Sequence, residues 1–305
     1  MTELPVRGSD EYEALAQLLP DDFSDPGDDL ETVRAKFDEV HGHDPGPGVV
    51  IEPAPSGLGL WVHPEGGGSA GTVFFVHGGG FVTSDAASYA FYGALLARAT
   101  GWSVFVADYP LAPESVFPAQ LDALSQAFAT DVAAPRGAGV DGPVVLMGDS
   151  CGGGMAVSLA MRDRVVADRS LGIVSLCGWF DLLADGDSAT DPVGRDPFLD
   201  PAWLRLRGLD YVGPEGDPSH PGVSVLHAPE EDLARLPPLL LHAGQVDRCR
   251  SDAERLAARA RAAGVTVELR VWPAMPHGFH GLAGVVPEAD AALGEVRSWL
   301  ERMAR

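Results

Sequence analysis

Val144-Val145-Leu146-Met147-Gly148-Asp149-Ser150-Cys151-Gly152-Gly153 is the stretch whose reading decides the fold. Four consecutive apolar residues suit a strand buried on both faces, and the residues from Cys151 to Ala167 carry helical spacing. Between them lies Gly-x-Ser-x-Gly. A strand that turns this sharply into a helix needs glycine where backbones crowd, and the turn presents the one serine hydroxyl alone above the sheet. Ser150 is therefore a candidate nucleophile; the competing reading is an ordinary strand-to-helix turn.

Outward from this unit the same alternation continues in both directions. Apolar strand runs are expected at Thr72–Val76, Ser103–Ala107, Pro143–Met147, Gly172–Leu176, Pro238–His242 and Thr266–Val271. Helical stretches at Ala86–Thr100, Ala119–Asp131, Cys151–Ala167, Ser251–Ala263 and Glu288–Met303 separate or follow them. Continuous apolar strands divided by amphipathic helices predict a mostly parallel sheet covered on both faces. Upstream, Val49–Glu52 and Leu58–His63 read as a hairpin, which brings the count to eight strands, and Glu11–Leu19 and Leu30–Val40 read as helices. One interval breaks the rhythm. Between Cys177 and Pro237 some sixty residues carry repeated Asp, Gly and Pro with one helical patch near Pro201–Tyr211, and a stretch that long is an active-site cover or a linker.

A glycine run, His77-Gly78-Gly79-Gly80, follows the strand Thr72–Val76. Acyl transfer generates an oxyanion, and glycines let backbone N–H groups approach it without side chains in the way. Gly79, Gly80 and the N–H of Cys151 are the expected donors. A phosphate cradle is the rival, but no Lys-Ser/Thr follows and no GxGxxG spacing is present. A serine needs a base, and the base an orienting carboxylate. His277 follows the strand Thr266–Val271, and Asp247 follows Pro238–His242. Each sits beyond the C-terminal end of its strand, in the order Ser, Asp, His. Asp252 is the alternative acid, with capping of its helix as its other role.

The chain has 305 residues, 46% of them hydrophobic and 21% charged, and a net charge of −23 that includes a single lysine, Lys36. That composition supports one large domain over residues 1–305 and excludes disorder and coiled coil. Its field repels polyanions, so nucleic acid and anionic membranes are not expected as partners. Cys151, Cys177 and Cys249 have neither zinc-site nor disulfide spacing, nothing resembles a metal cluster, and no cofactor is implied. The polar, acidic start and the lack of a long apolar run predict a cytoplasmic protein. A homodimer is possible in principle, though no patch in the sequence specifies one.

His77-Gly78-Gly79-Gly80, Asp108-Tyr109-Pro110-Leu111-Ala112-Pro113-Glu114, Gly148-Asp149-Ser150-Cys151-Gly152-Gly153, Asp196-Pro197-Phe198-Leu199 and His277-Gly278-Phe279 together resemble the hormone-sensitive-lipase-like family of α/β-hydrolases, also called bacterial esterase family IV. The resemblance runs from about residue 60 to the C-terminus. It implies Ser150, Asp247 and His277 as a triad, a helical cap built from about 1–45 and 180–225, and a serine carboxylesterase acting on small to medium neutral acyl esters. Phe81, Trp179, Phe180, Phe198, Trp203 and Tyr211 are then expected to line an acyl or alcohol pocket. Asp108 and Glu114 fall to structural roles, and His220 and His227 to solvent. The chain departs from the family at Pro110 (usually Arg), at Cys151 (usually a small residue such as Ala), and after the acid, where Arg248-Cys249-Arg250 replaces an apolar run. A deacetylase or lactonase, a non-hydrolytic lyase or dehydratase, and a ligand-binding receptor on the same scaffold are the alternatives.

Overall fold

The computed structural model describes residues 7–19, 23–66, 69–133, 142–190 and 193–305. Eight strands, β1 (Val49–Pro53), β2 (Gly59–Pro64), β3 (Thr72–Val76), β4 (Ser103–Ala107), β5 (Val144–Asp149), β6 (Ser170–Leu176), β7 (Leu239–Gly244) and β8 (Val267–Trp272), form one sheet. Their order is β1-β2-β4-β3-β5-β6-β7-β8. The β1–β2 hairpin pairs antiparallel and β2 joins β4 antiparallel; all other pairs are parallel.

Alternation explains why the central strands are apolar at every position. Phe74, Val76 and Leu146 point into one core with the helices Cys151–Arg162, Ala119–Ala127 and Arg250–Ala262. Val73, Phe75, Val145 and Met147 point into the other, against the helices Ala90–Thr100 and Pro287–Met303. With both faces covered, neither side-chain register meets water. The edge strand β1, by contrast, is largely exposed.

Elements match the expectations in kind, and their ends move for local reasons. The helix expected from Cys151 to Ala167 breaks at Asp163, whose carboxylate caps a separate helix, Arg164–Arg169, by accepting from Val165 and Val166 N–H. Such a cap supplies a local alternative to continuing the helix. The helix expected from Ala86 starts at Ala90, because Asp85 and Ser88 close a hydrogen-bonded turn ahead of it. The segments expected as a cap contain the helices Asp10–Ala16, Leu30–His41, Asp187–Thr190 and Pro201–Val212; residues 1–6, 20–22 and 191–192 of those segments lie outside the described residues.

Parallel strands bring one end of each crossover to the same rim, so Cys177, Ser150, His77, Asp247 and His277 all follow the carboxyl ends of their strands. Glycine makes the approach of these loops possible. A methyl on Gly152 would stand 2.1 Å from Val76 O and 2.5 Å from His77 O, so the serine turn seats directly against the His77 loop. Gly152→Ala is expected to destabilise the fold by roughly 1–3 kcal/mol through overpacking, a fall of several degrees in Tm by calorimetry. Gly294→Ala, on the exposed side of the last helix where nothing lies within 4 Å, is expected to leave Tm unchanged or raise it.

Candidate active site

Ser150 joins β5 to its helix at φ 53°, ψ −128°, a conformation that a side-chain-bearing residue adopts only when its surroundings hold it there. Three bonds do so: its N–H donates to Leu176 O (3.0 Å), and its C=O accepts from Gly153 N–H (3.0 Å) and Trp179 N–H (3.0 Å). The hydroxyl stands 2.8 Å from His277 Nε2, and His277 Nδ1 stands 2.9 Å from Asp247 Oδ1. His277 and Asp247 are buried at 7% and 1% exposure. Residues 97 and 30 positions apart in sequence thus form one hydrogen-bonded line.

The loops behind the line are locked to each other. Val246 N–H donates to Met275 O (3.1 Å), Gln245 N–H to Trp272 O (2.8 Å), and Ala274 N–H to Gln245 Oε1 (2.9 Å). Asp247 Oδ1 also accepts from Cys249 N–H at 2.7 Å. Asp196, from the segment before the Pro201–Val212 helix, accepts from Arg248 N–H (3.1 Å) and from Phe198 N–H (3.0 Å). It therefore ties the acid loop to residues that wall the cleft.

Burial alone depresses the His277 imidazole, but the Asp247 charge and hydrogen bond, reinforced by Asp196 and Asp149, outweigh it and hold the ring above its ordinary value. Burial raises Asp149 to about 7 and Asp196 to about 6. Cys151 is fully buried, and burial together with Asp149 pushes its thiol up to about 12, away from the thiolate form that a cysteine nucleophile needs. Asp252 lies apart from the line. Its Oδ2 accepts from Phe180 and Asp181 N–H (3.1 and 3.0 Å) and its Oδ1 from Arg255 (2.8 Å). Nor does it cap its own helix, where Cys249 is the N-cap residue.

The glycine loop is held from below. Tyr109 O–H donates to His77 O (3.0 Å), the His77 ring lies 2.8 Å from Gly78 O, and Tyr89 O–H donates to Asp149 (3.2 Å). Gly79 and Gly80 have φ of 104° and 58°. A methyl on Gly79 would stand 2.4 Å from Thr83 O, and one on Gly80 2.5 Å from Trp203. Gly79 and Gly80 line the same cleft as Ser150.

A profile for the alpha/beta hydrolase fold matches residues 73–281. An acetyl-hydrolase of Streptomyces hygroscopicus is 31% identical over 93% of this chain and 94% of its own. Esterase LipI of Mycobacterium tuberculosis is 32% identical over 73% and 70%. The crystal structure of an esterase from the bacterial hormone-sensitive lipase family superposes with a TM-score of 0.84 at 26% identity, covering 98% of this chain and 100% of that one. The chain belongs to the hormone-sensitive-lipase-like family of α/β-hydrolases.

As in an α/β-hydrolase, the serine opens on a cleft, here of about 190 Å³. Of the six aromatic residues expected on its wall, Phe198 and Trp203 line it. Phe81, Trp179, Phe180 and Tyr211 do not: all four are buried to 2% exposure or less. Phe81 stacks on Tyr211 (3.9 Å between centroids) and tilts against Trp179 (5.2 Å). Aromatic faces satisfy one another more fully than an open cleft would. In their place the N-terminal helix supplies Phe37 and His41, and the Ala90–Thr100 region Tyr89 and Phe91. The i, i+4 spacing of Phe37 and His41 was the available signal, because it puts both on one helical face.

Asp108 accepts from Ala86 N–H (2.7 Å), in keeping with a structural role. Glu114 likewise has a structural contact, pairing with Arg34 (2.8 and 2.9 Å) to join the helix Leu30–His41 to the loop after β4. His220 and His227 are exposed, and His227 lies 3.2 Å from Asp181. Among the described residues, the group with metal-ligand types close enough to share an ion is Cys177, Asp247 and His277, and two of these already bond each other. No helix among the described residues is long and apolar enough to cross a membrane.

Because the Asp247 charge raises His277, the acid limb of kcat/KM should have its midpoint above the ordinary histidine value of about 6.5. Asp196→Asn removes one contributing charge, so that midpoint should move down; an unchanged limb would contradict the electrostatic account.

Proposed function

We propose that this α/β-hydrolase is a serine carboxylesterase that cleaves small to medium neutral acyl esters through an acyl-enzyme. The carrying observation is the continuous line Ser150 Oγ, His277 Nε2, His277 Nδ1, Asp247 Oδ1 at 2.8 and 2.9 Å. Relatives named as esterases and as an acetyl-hydrolase support the same chemistry.

In this reading Ser150 attacks the ester carbonyl while His277 Nε2 takes its proton. Asp247 holds the Nδ1–H tautomer and steadies the imidazolium that forms. The N–H groups of Gly79, Gly80 and Cys151 receive the developing oxyanion. His277 then protonates the departing alcohol, and water deacylates Ser150 by the same route. Residues 1–45 and 180–225 act as the cap. Phe37 stacks on Trp203 (6.1 Å) and Phe23 packs edge-on to Phe198 (5.9 Å), which brings the two segments together over the serine. An aromatic wall favours compact, uncharged esters, and the net charge of −23 disfavours anionic ones. The substrate is a free small molecule, met in the cytoplasm. The name of the Streptomyces relative favours acetyl esters within this class.

The test is pre-steady-state kinetics on p-nitrophenyl acetate, butyrate and longer esters. Wild type should show a burst. Ser150→Ala should abolish it and lower kcat by about 10⁴-fold or more, whereas a lyase or a receptor would be indifferent to that change. Asp247→Asn should cost about 10⁴-fold in kcat through the wrong imidazole tautomer. Asp252→Asn should stay within about tenfold, the scale of a lost buried hydrogen bond. A large loss confined to Asp252→Asn would transfer the acid role.

A further inference from the structure

His41 ends the helix Leu30–His41 and lines the cleft on which Ser150 opens, yet the mechanism above gives its ring nothing to do. Its Nδ1 stands 3.1 Å from Phe37 O, the carbonyl one turn back. A carbonyl only accepts, so Nδ1 carries the hydrogen and the neutral ring keeps its lone pair on Nε2. Burial holds the imidazole down to about 4, so that neutral tautomer prevails near neutral pH.

Stacking sets the orientation of the ring. Trp203, Phe37, His41 and Tyr89 follow one another along the cleft, with planes inclined by 10°, 13° and 15° and centroids 6.1, 5.5 and 4.6 Å apart. Aromatic neighbours thus take the faces of the imidazole, and its Nδ1 edge is turned to its own helix. The edge left for the cleft carries Nε2. No group among the described residues bonds that nitrogen, and it is not one of the sealed, unpartnered atoms of the interior, so it is open to the cleft. The other polar side chains of the wall beyond the triad are engaged, sealed or at the mouth. Tyr89 O–H donates to Asp149 (3.2 Å), Asp149 Oδ1 and the Tyr92 hydroxyl are buried, and His43 stands exposed against Phe91. One tyrosine bridges the imidazole and the nucleophile's turn: the Tyr89 ring stacks on His41, and its hydroxyl bonds the residue before Ser150.

We propose that His41 Nε2 accepts a hydrogen bond from a hydroxyl of the substrate, and that the enzyme prefers neutral esters bearing a hydroxyl a few bonds from the carbonyl over those with a methyl in its place. The inference deepens the esterase reading and rests on it. An aromatic wall accommodates a methyl at least as readily as a hydroxyl, so the wall alone does not select; the nitrogen does. When a substrate displaces water from the cleft, Nε2 loses a donor. A hydroxyl replaces that donor, whereas a methyl leaves the acceptor unmet. Sites that bind a hydroxyl reject the analogue lacking it for this reason. A neutral hydroxyl also enters without the cost of taking a charge out of water.

The experiment measures kcat and KM by pH-stat titration on two matched pairs that exchange one methyl for one hydroxyl. Propyl acetate and ethylene glycol monoacetate differ on the alcohol side; ethyl isovalerate and ethyl β-hydroxybutyrate differ on the acyl side. Wild type, His41→Phe, His41→Gln and Ser150→Ala are compared as full chains. Phenylalanine keeps the stacked ring and removes the acceptor, while glutamine supplies an amide oxygen as a substitute acceptor. In the wild type kcat/KM should favour the hydroxyl member of at least one pair by about three- to tenfold, the worth of one modest hydrogen bond, and chiefly through KM. His41→Phe should bring that ratio to parity or below, and His41→Gln should restore part of it. General damage from a substitution falls on both members of a pair and cancels in the ratio. The pair that responds tells whether the hydroxyl belongs to the alcohol or to the acyl group. Ratios that are the same in wild type and His41→Phe for both pairs overturn the proposal. Should His41→Phe not fold, wild-type ratios at parity or below in both pairs overturn it by themselves. Turnover retained in Ser150→Ala would sink the esterase reading and this inference together, whereas a Ser150-dependent enzyme with flat ratios sinks the inference alone.

Discussion

The hydrogen bond between His277 and Asp247 is the constraint on which the rest depends. A buried carboxylate is expensive unless paired, and a buried imidazole loses its basicity unless a charge restores it. Each group answers the other's cost only at contact distance, so two loops from neighbouring strands must meet within a few tenths of an ångström. The parallel sheet delivers them to one rim. Gly244 then lets β7 end against the histidine loop, since a methyl there would lie 2.1 Å from Met275 O. Backbone bonds from Val246 and Gln245 fasten the loops, and Asp196 holds the acid loop from the cleft side. The geometry of the Ser150–His277–Asp247 line is in this sense a product of backbone packing.

Local chemistry made much of this legible in the sequence. Strands Thr72–Val76 and Ser103–Ala107 end where apolar alternation ends, and the motifs around His77, Ser150 and His277 declare themselves because their glycines do one job at one kind of turn. The choice between Asp247 and Asp252 was not decided by pattern, since both follow β7 within a short span. In space the two part. The loop after β7 puts residue 247 at the rim, while the first turn of the Arg250–Ala262 helix carries residue 252 back under the loop at Phe180–Asp181, where it accepts two backbone N–H groups. The cleft wall was legible only in part. An aromatic side chain packs equally well on a neighbour or on a substrate, so Phe81 and Tyr211 spend their faces on each other while Phe37 and His41, on a helix that reads as a mere preface, reach the serine.

Charge acts on two scales in this molecule, and they should be kept apart. The net charge of −23 belongs mostly to exposed groups whose field is screened within about 10 Å at ordinary salt. It selects which ligands approach and says little about chemistry at Ser150. A handful of buried carboxylates does the local work. Asp149 and Asp196, raised to about 7 and about 6 by burial, add to the Asp247 charge that holds His277 up.

The same arrangement links substrate enclosure to the acid. Asp196 accepts from Phe198 N–H with one oxygen and from Arg248 N–H with the other, so the segment that walls the cleft and the loop that carries Asp247 share one carboxylate. Phe198 in turn packs on Phe23, and Trp203 on Phe37, joining the N-terminal helices to that carboxylate through two aromatic contacts. A displacement of the wall that broke the Phe198 bond would leave a buried oxygen of Asp196 unmet and loosen the acid loop with it. The cleft wall and the loop that carries Asp247 are thereby held by one buried group, whose free energy depends on both bonds.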